Sequence, residues 1–172
     1  RKFTYGCYYI PLFSVFQYGI TKIVGFSLFP DEFGYWASAA NALGWDWSET
    51  ASLGSYYSYG YSFLLIPLLV LFKNSVTAYR AAIVVNMLLM IIAFFLLLKI
   101  KRSVQMSQGE QKDMLLCMAA IFYPSWVFYM QMTMTEALLM FLFVLIVFLY
   151  IKVLEKTNII CNVLLAVALA YM

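Results

Sequence analysis

Three positions in this chain carry charge where charge is costly. Asp31 and Glu32 stand side by side after Pro30. Glu136 sits in the run YPSWVFYMQMTMTEALLMFLFVLIVFLY, with no other charged residue between Asp113 and Lys152. An ionised carboxylate at membrane depth is expensive and by default marks a functional site. Held at a bilayer surface and partly desolvated, a carboxylate can act as a general base toward a hydroxyl. Neighbouring residues on a helix diverge by about 100°, so Asp31 and Glu32 would have different jobs. Each acid also has a plainer explanation. Asp31 and Glu32 can simply open a helix and complement the positive end of its dipole. Thr133 or Thr135, followed by Glu136, can cap the start of the next helix. Both readings of Glu136 place it at the membrane face that holds Asp31.

Cations accompany the acids. Lys22, Lys73 and Arg80 lie on or near the same face, and Lys22 is expected to snorkel to the headgroups. Arg80 heads a span at its outer end, against the usual cytoplasmic bias of basic residues. A phosphate or a carboxylate partner would account for it. Arg80, Lys73 and two tyrosines of the aromatic stretch SYYSYGYSF, Tyr57 and Tyr59, are the candidate substrate contacts. There is no His, which removes His-based acid–base and metal chemistry. The three cysteines, Cys7, Cys117 and Cys161, lie inside apolar runs and are odd in number. Buried inert thiols are expected rather than a disulfide framework. A net charge of +3, scattered along the chain, excludes a nucleic-acid partner.

The elements that must position these residues are helices in a bilayer. Of 172 residues, 65% are hydrophobic and 11% charged, against about 25% charged in a soluble domain. One soluble core of this size could not hide so much apolar surface, whereas lipid can. The 14 Tyr and 4 Trp belong largely at the headgroup layer. Uncharged stretches of spanning length predict crossings at about 3–29, 78–98, 113–130, 136–151 and 158–172, with an outer loop over 30–77. Within that loop, only 61–72 is strongly apolar. It is short for a span and is flanked or broken by Gly60 and Pro67, which suits a re-entrant helix. If it returns to the face it left, Arg1-Lys2, the KIKR cluster at 99–102 with Lys112, and Lys152 with Lys156 all fall in the cytoplasm. Five acids, Asp31, Glu32, Asp46, Glu49 and Glu136, then fall outside. DEFGYWASAANALG places Phe33, Trp36, Ala37 and Ala40 along one side of a helix lying on the membrane plane. The fold expected is all-α: a polytopic transmembrane protein with amphipathic and re-entrant helices in its first outer loop. The N-terminus is expected in the cytoplasm, and the membrane is expected to be a bacterial plasma membrane. The chain starts at Arg1 without a Met and stops inside the apolar run VLLAVALAYM, as an N-terminal fragment of a longer protein would.

Three stretches then carry a family resemblance: FPDEFGYWASAANAL, SYYSYGYSFLLIPLLVLFKNSVTAYRAAIVVNMLL and LCMAAIFYPSWVFYMQMTMTEALLMFLF. Their order is an acid pair after the first span, an aromatic-rich re-entrant helix, an Arg-headed span and a Pro…Thr-Glu element. It resembles the N-terminal module of GT-C glycosyltransferases, the polyprenyl-phosphate-sugar-dependent enzymes that include protein O-mannosyltransferases and aminoarabinose transferases. The resemblance implies transfer of a sugar from a polyprenyl-phosphate carrier in the bilayer to an acceptor on the outer face. Asp31 matches the general base of the first outer loop and Glu32 its companion. Glu136 matches the acid of the second outer loop, which shapes the site or, in some members, helps hold a divalent metal; no other cofactor is implied. Arg80 would offset the carrier's phosphate. The chain lacks the later spans and C-terminal domain that complete the acceptor site in that family.

Two other classes compete. In a transporter or flippase component, Glu136 and Arg80 would be a coupling pair, but such proteins carry inverted repeats and broken spans in matching positions, and none is visible here. In a non-catalytic membrane scaffold, the acids would be caps and nothing more.

Overall fold

A computed structural model describes residues 20, 22, 25–26, 29–47, 59–104, 109–156 and 158–172. Most of the 3–29 span, Glu49 and Tyr57 lie outside the described residues. The described chain is all-helical: α1 Pro30–Ala42, α2 Tyr59–Leu71, α3 Ser75–Ser103, α4 Glu110–Ile121, α5 Pro124–Tyr129, α6 Glu136–Glu155 and α7 Ile159–Tyr171.

Helix α1 starts at a proline, whose missing N–H is one that no helix start can satisfy, with Asp31 and Glu32 in its first turn. It closes at Gly44, whose φ of 76° is a left-handed turn that glycine adopts without strain. Trp36, Ala37 and Ala40 are buried and Phe33 is half-buried, as the expected stripe requires. Burial does not stop there, because Glu32, Gly34, Ser38 and Ala39 are covered too. Protein therefore surrounds most of α1, and its small residues let α2 approach closely. Ser62 Oγ donates to the Tyr35 carbonyl at 3.0 Å, and the Tyr35 and Tyr61 rings meet edge to face at 5.6 Å.

Helices α2 and α3 form a hairpin across the short turn Phe72–Asn74. Asn74 caps α3, its Oδ1 accepting from the amides of Val76 and Thr77 at 2.9 and 3.2 Å. The Tyr61 hydroxyl donates to Asn86 Oδ1 at 3.0 Å. At 1.5 Å per residue, Asn86 lies about 16 Å along α3 from Ser75. Helix α2 thus begins well down the flank of α3 and rises to the turn.

The stretch 113–130, expected as one span, is two helices. Phe122 ends α4, its N–H donating to the Met118 carbonyl at 2.8 Å. Tyr123 is extended, with φ −57° and ψ 141°, because a residue before proline is sterically pushed out of the helical region. Pro124 then opens the six-residue α5. Neither piece has the roughly 20 residues a crossing needs.

Helices α3 and α6 lie side by side and parallel. Near their starts, Tyr79 and Ile83 share a core with Leu138 and Leu142. Near their ends, the ammonium groups of Lys99 and Lys152 both stand 5.9 Å from the Phe148 ring. Helix α4 runs back between those levels: Asp113 meets Lys101 at 2.8 Å and Phe122 meets Phe94 at 6.2 Å. The second core, around Met90, Phe94, Cys117, Ile121 and Ala137, fills the space between them. Cys117 is buried as expected, while Cys161 on α7 is only half-buried. This path gathers Lys99, Lys101, Lys112 and Lys152 at one end and the starts of α3 and α6 at the other.

Helices α3 and α6 are long and apolar enough to cross a membrane, with mean hydropathies of 2.9 and 2.8 over their most apolar windows. Only 33% and 28% of those windows are buried. The uncovered side chains include Val84, Leu88, Ile91 and Phe95 on α3 and Leu139 and Phe143 on α6. A core helix in a soluble protein would be covered on such faces.

Candidate functional site at the acidic end

The acidic end is organised around Glu32. Although it sits in the first turn of α1, its side chain is 0% exposed. The N-cap position, Phe29, makes no side-chain cap, so Glu32's carboxylate is turned to partners far along the sequence. Its Oε1 accepts the Thr133 amide at 2.6 Å, the Thr133 hydroxyl at 3.0 Å and the Tyr79 hydroxyl in a short bond. The indole of Trp36, one turn further along α1, donates to Thr133 Oγ1 at 2.9 Å. A buried carboxylate is tolerated when donors surround it in this way.

The same segment is held from α3. Asn86 Nδ2 donates to the Met132 carbonyl at 2.7 Å while its Oδ1 accepts from Tyr61. A lone amide in an apolar helix is thereby used on both sides. Tyr35 and Thr135 hydroxyls lie 3.4 Å apart. Residues 132–135, which have no regular structure of their own beyond turns, are thus fastened to α1 and α3.

Glu136 follows at once as the first residue of α6. Thr135, in the N-cap position, makes no side-chain cap, and the Thr133 hydroxyl is committed to Glu32. The capping-box explanation therefore does not describe this helix start, although a carboxylate in the first turn still suits the dipole. Glu136 Oε2 is buried and has no hydrogen-bond partner among the described residues. Both Glu32 and Glu136 lie within electrostatic reach of the Tyr61 hydroxyl. Asp31 is half-buried beside Glu32 on α1, and Arg80 is half-buried next to Tyr79 on α3.

Tyr79 also faces a cavity of about 590 Å³, lined by Trp36, Trp45, Trp47, Phe72, Lys73 and Tyr79 together with Phe26, Leu69 and Val70. The volume is that of an ordinary ligand pocket. Its walls are aromatic and aliphatic, and Lys73, exposed in the α2–α3 turn, is the one cationic residue among the described residues that line it. Tyr59 is exposed at the opposite end of α2, about 18 Å of helix from Leu71, so the structure does not bring it to Lys73. Among the described residues, no three His, Cys, Asp or Glu side chains gather in one place.

Sequence reasoning identified the acids but not what holds them: it passed over Tyr79 and Asn86, read Thr133 only as a helix cap and placed Trp36 only in an apolar stripe. Asn86 did leave a signal, as the one amide in the apolar core of α3. The chain matches no protein-family model, no curated protein and no solved structure.

Proposed function

We propose that the chain is a membrane glycosyltransferase that moves a sugar from a polyprenyl-phosphate carrier to an acceptor hydroxyl at one membrane face. The observation that carries this reading is the fastening of residues 132–135 onto Glu32, which sets Asp31, Glu32 and Glu136 at one end of the helices. Beside them lies an apolar cavity with a cation on its wall. An isoprenoid chain suits aromatic and aliphatic walls, and its phosphate suits Lys73, with Arg80 nearby on α3. The order of motifs resembling GT-C enzymes supports the same reading.

In this mechanism, α3 and α6 cross the bilayer with their basic ends in the cytoplasm, and α2 dips in and returns. Asp31 takes the proton from the acceptor hydroxyl. The hydroxyl oxygen forms a bond to the anomeric carbon as the bond to the carrier's phosphate oxygen breaks. The lipid phosphate departs with that electron pair, and its charge is offset by Lys73.

The test uses the full-length protein in vesicles that contain a labelled polyprenyl-phosphate sugar. Wild type should cleave the sugar–phosphate bond and label the acceptor. Asp31→Asn should abolish transfer with expression and folding intact, and Lys73→Glu should raise the KM for the carrier. Retained turnover in Asp31→Asn removes Asp31 from the base role. Movement of intact carrier between leaflets without bond cleavage would instead mark a transporter.

A further inference from the structure

Glu32 has the wrong exposure for a group that exchanges protons with substrate and the right connections for another task. Its Oε1 joins three elements at one point: α1, which bears it; α3, through the Tyr79 hydroxyl; and the approach to α6, through Thr133. The Tyr79 ring is at the same time a wall of the aromatic cavity. It stacks on Trp36 at 6.3 Å, and Trp36 in turn lines the cavity and donates to Thr133. A continuous set of contacts therefore runs from the cavity wall to the residues that immediately precede Glu136.

We propose that Glu32 is a positioning residue, a buried latch that ties the cavity wall at Tyr79 to residues 132–135 and so holds the start of α6, where Glu136 stands. Asp31, one residue away, diverges from Glu32 by about 100° around α1, so the adjacent acids divide the work: Asp31 is the base of the transferase reading and Glu32 holds the frame. The latch stands on hydrogen-bond geometry and does not rest on the transferase reading. An element held by few contacts should open locally when its principal bonds are cut. Removing a charged acceptor that is shared by three buried donors leaves each of them in need of a partner.

Hydrogen–deuterium exchange on the purified full-length protein in lipid nanodiscs tests this, because the Thr133 amide is itself one of the donors. Glu32→Ala should raise exchange in 130–135 at least about tenfold, with the interiors of α3 and α6 still protected. Tyr79→Phe, which removes one donor and no volume to speak of, should give a smaller rise confined to the same segment. Thr133→Ser should behave as wild type and Thr133→Val should not. Wild-type exchange of 130–135 in Glu32→Ala would overturn the latch. If Glu32→Ala loosens every helix, Tyr79→Phe and Thr133→Val decide: a rise confined to the segment supports the latch, and no change overturns it. Where transfer is measurable, Glu32→Gln should lower kcat about tenfold and leave the carrier KM and the pH profile in place. A lost limb of that profile would make Glu32 the base and overturn the division of labour.

Discussion

Thr133 gives both its backbone N–H and its hydroxyl to one oxygen of Glu32, at 2.6 and 3.0 Å, across 101 residues of sequence. The Trp36 indole completes the joint by donating to the same hydroxyl at 2.9 Å. Both donors of this threonine are used and its hydroxyl also accepts, so each change at this joint should be felt by the others. Trp36→Phe should cost about 1 kcal/mol, read as a fall in thermal midpoint in detergent. Combined with Thr133→Val it should cost less than the sum of the two, because both remove the same bond. Additive losses would mean that Trp36 matters only as a packing group.

Asn86 supports the same segment from below. It is 0% exposed, accepts from Tyr61 at 3.0 Å and donates to the Met132 carbonyl at 2.7 Å. Asn86→Leu should cost about 1–2 kcal/mol by stranding the Tyr61 hydroxyl. Adding Tyr61→Phe removes the stranded donor and should recover part of that loss. Unfolding of the three variants in one detergent checks this. No recovery in the double variant would place the whole effect on Met132.

At the basic end, Lys101 and Asp113 tie α3 to α4 at 2.8 Å, with side chains 15% and 5% exposed. The contact is a charge approach rather than a well-directed hydrogen bond, since Lys101 Nζ makes none among the described residues. Breaking one partner of so buried a pair removes the opposite charge that offsets the other's desolvation. Lys101→Met should therefore cost about 3 kcal/mol, and the double change to Lys101→Met with Asp113→Leu should be close to neutral. Proteolysis of the 104–110 connection, followed with temperature, reports the loosening of α4.

The sequence makes α3 and α6 legible because long apolar runs have few alternatives to a helix covered by lipid or protein. The same logic misleads at 113–130, where apolarity continues through Pro124 although the backbone cannot. Pro124 was a visible stop signal, and the hydropathy of Phe122, Tyr123 and Trp126 masked it. Helix α1 was legible as a helix with a buried stripe, yet its small residues, Gly34, Ser38 and Ala39, allow α2 to cover further sides that an amphipathic reading leaves open. At the site, Glu136 stood out because charge in an apolar run is visible locally. The role of Glu32 did not, because it depends on a partner 101 residues away and on Tyr79, a tyrosine among fourteen.

The last prediction concerns acid pH. Glu155 lies beyond the apolar part of α6 and receives a hydrogen bond from Lys152 at 2.6 Å. That bond first, and a second from Ser103 at the end of α3, hold its carboxyl below the usual carboxylate range. A carboxyl with a depressed folded pKa binds its proton more weakly in the folded state than in the unfolded one. Its stabilising contribution is therefore complete above the unfolded value, about 4.3, and is lost as the pH falls through the lower folded value. The group is solvent-facing, so the effect is small and sensitive to salt. The thermal midpoint of wild type should exceed that of Glu155→Gln at about pH 6.5, and the difference should close toward about pH 3. A difference that persists at about pH 3 would assign Glu155 a packing role at the junction of α3 and α6 instead of an electrostatic one.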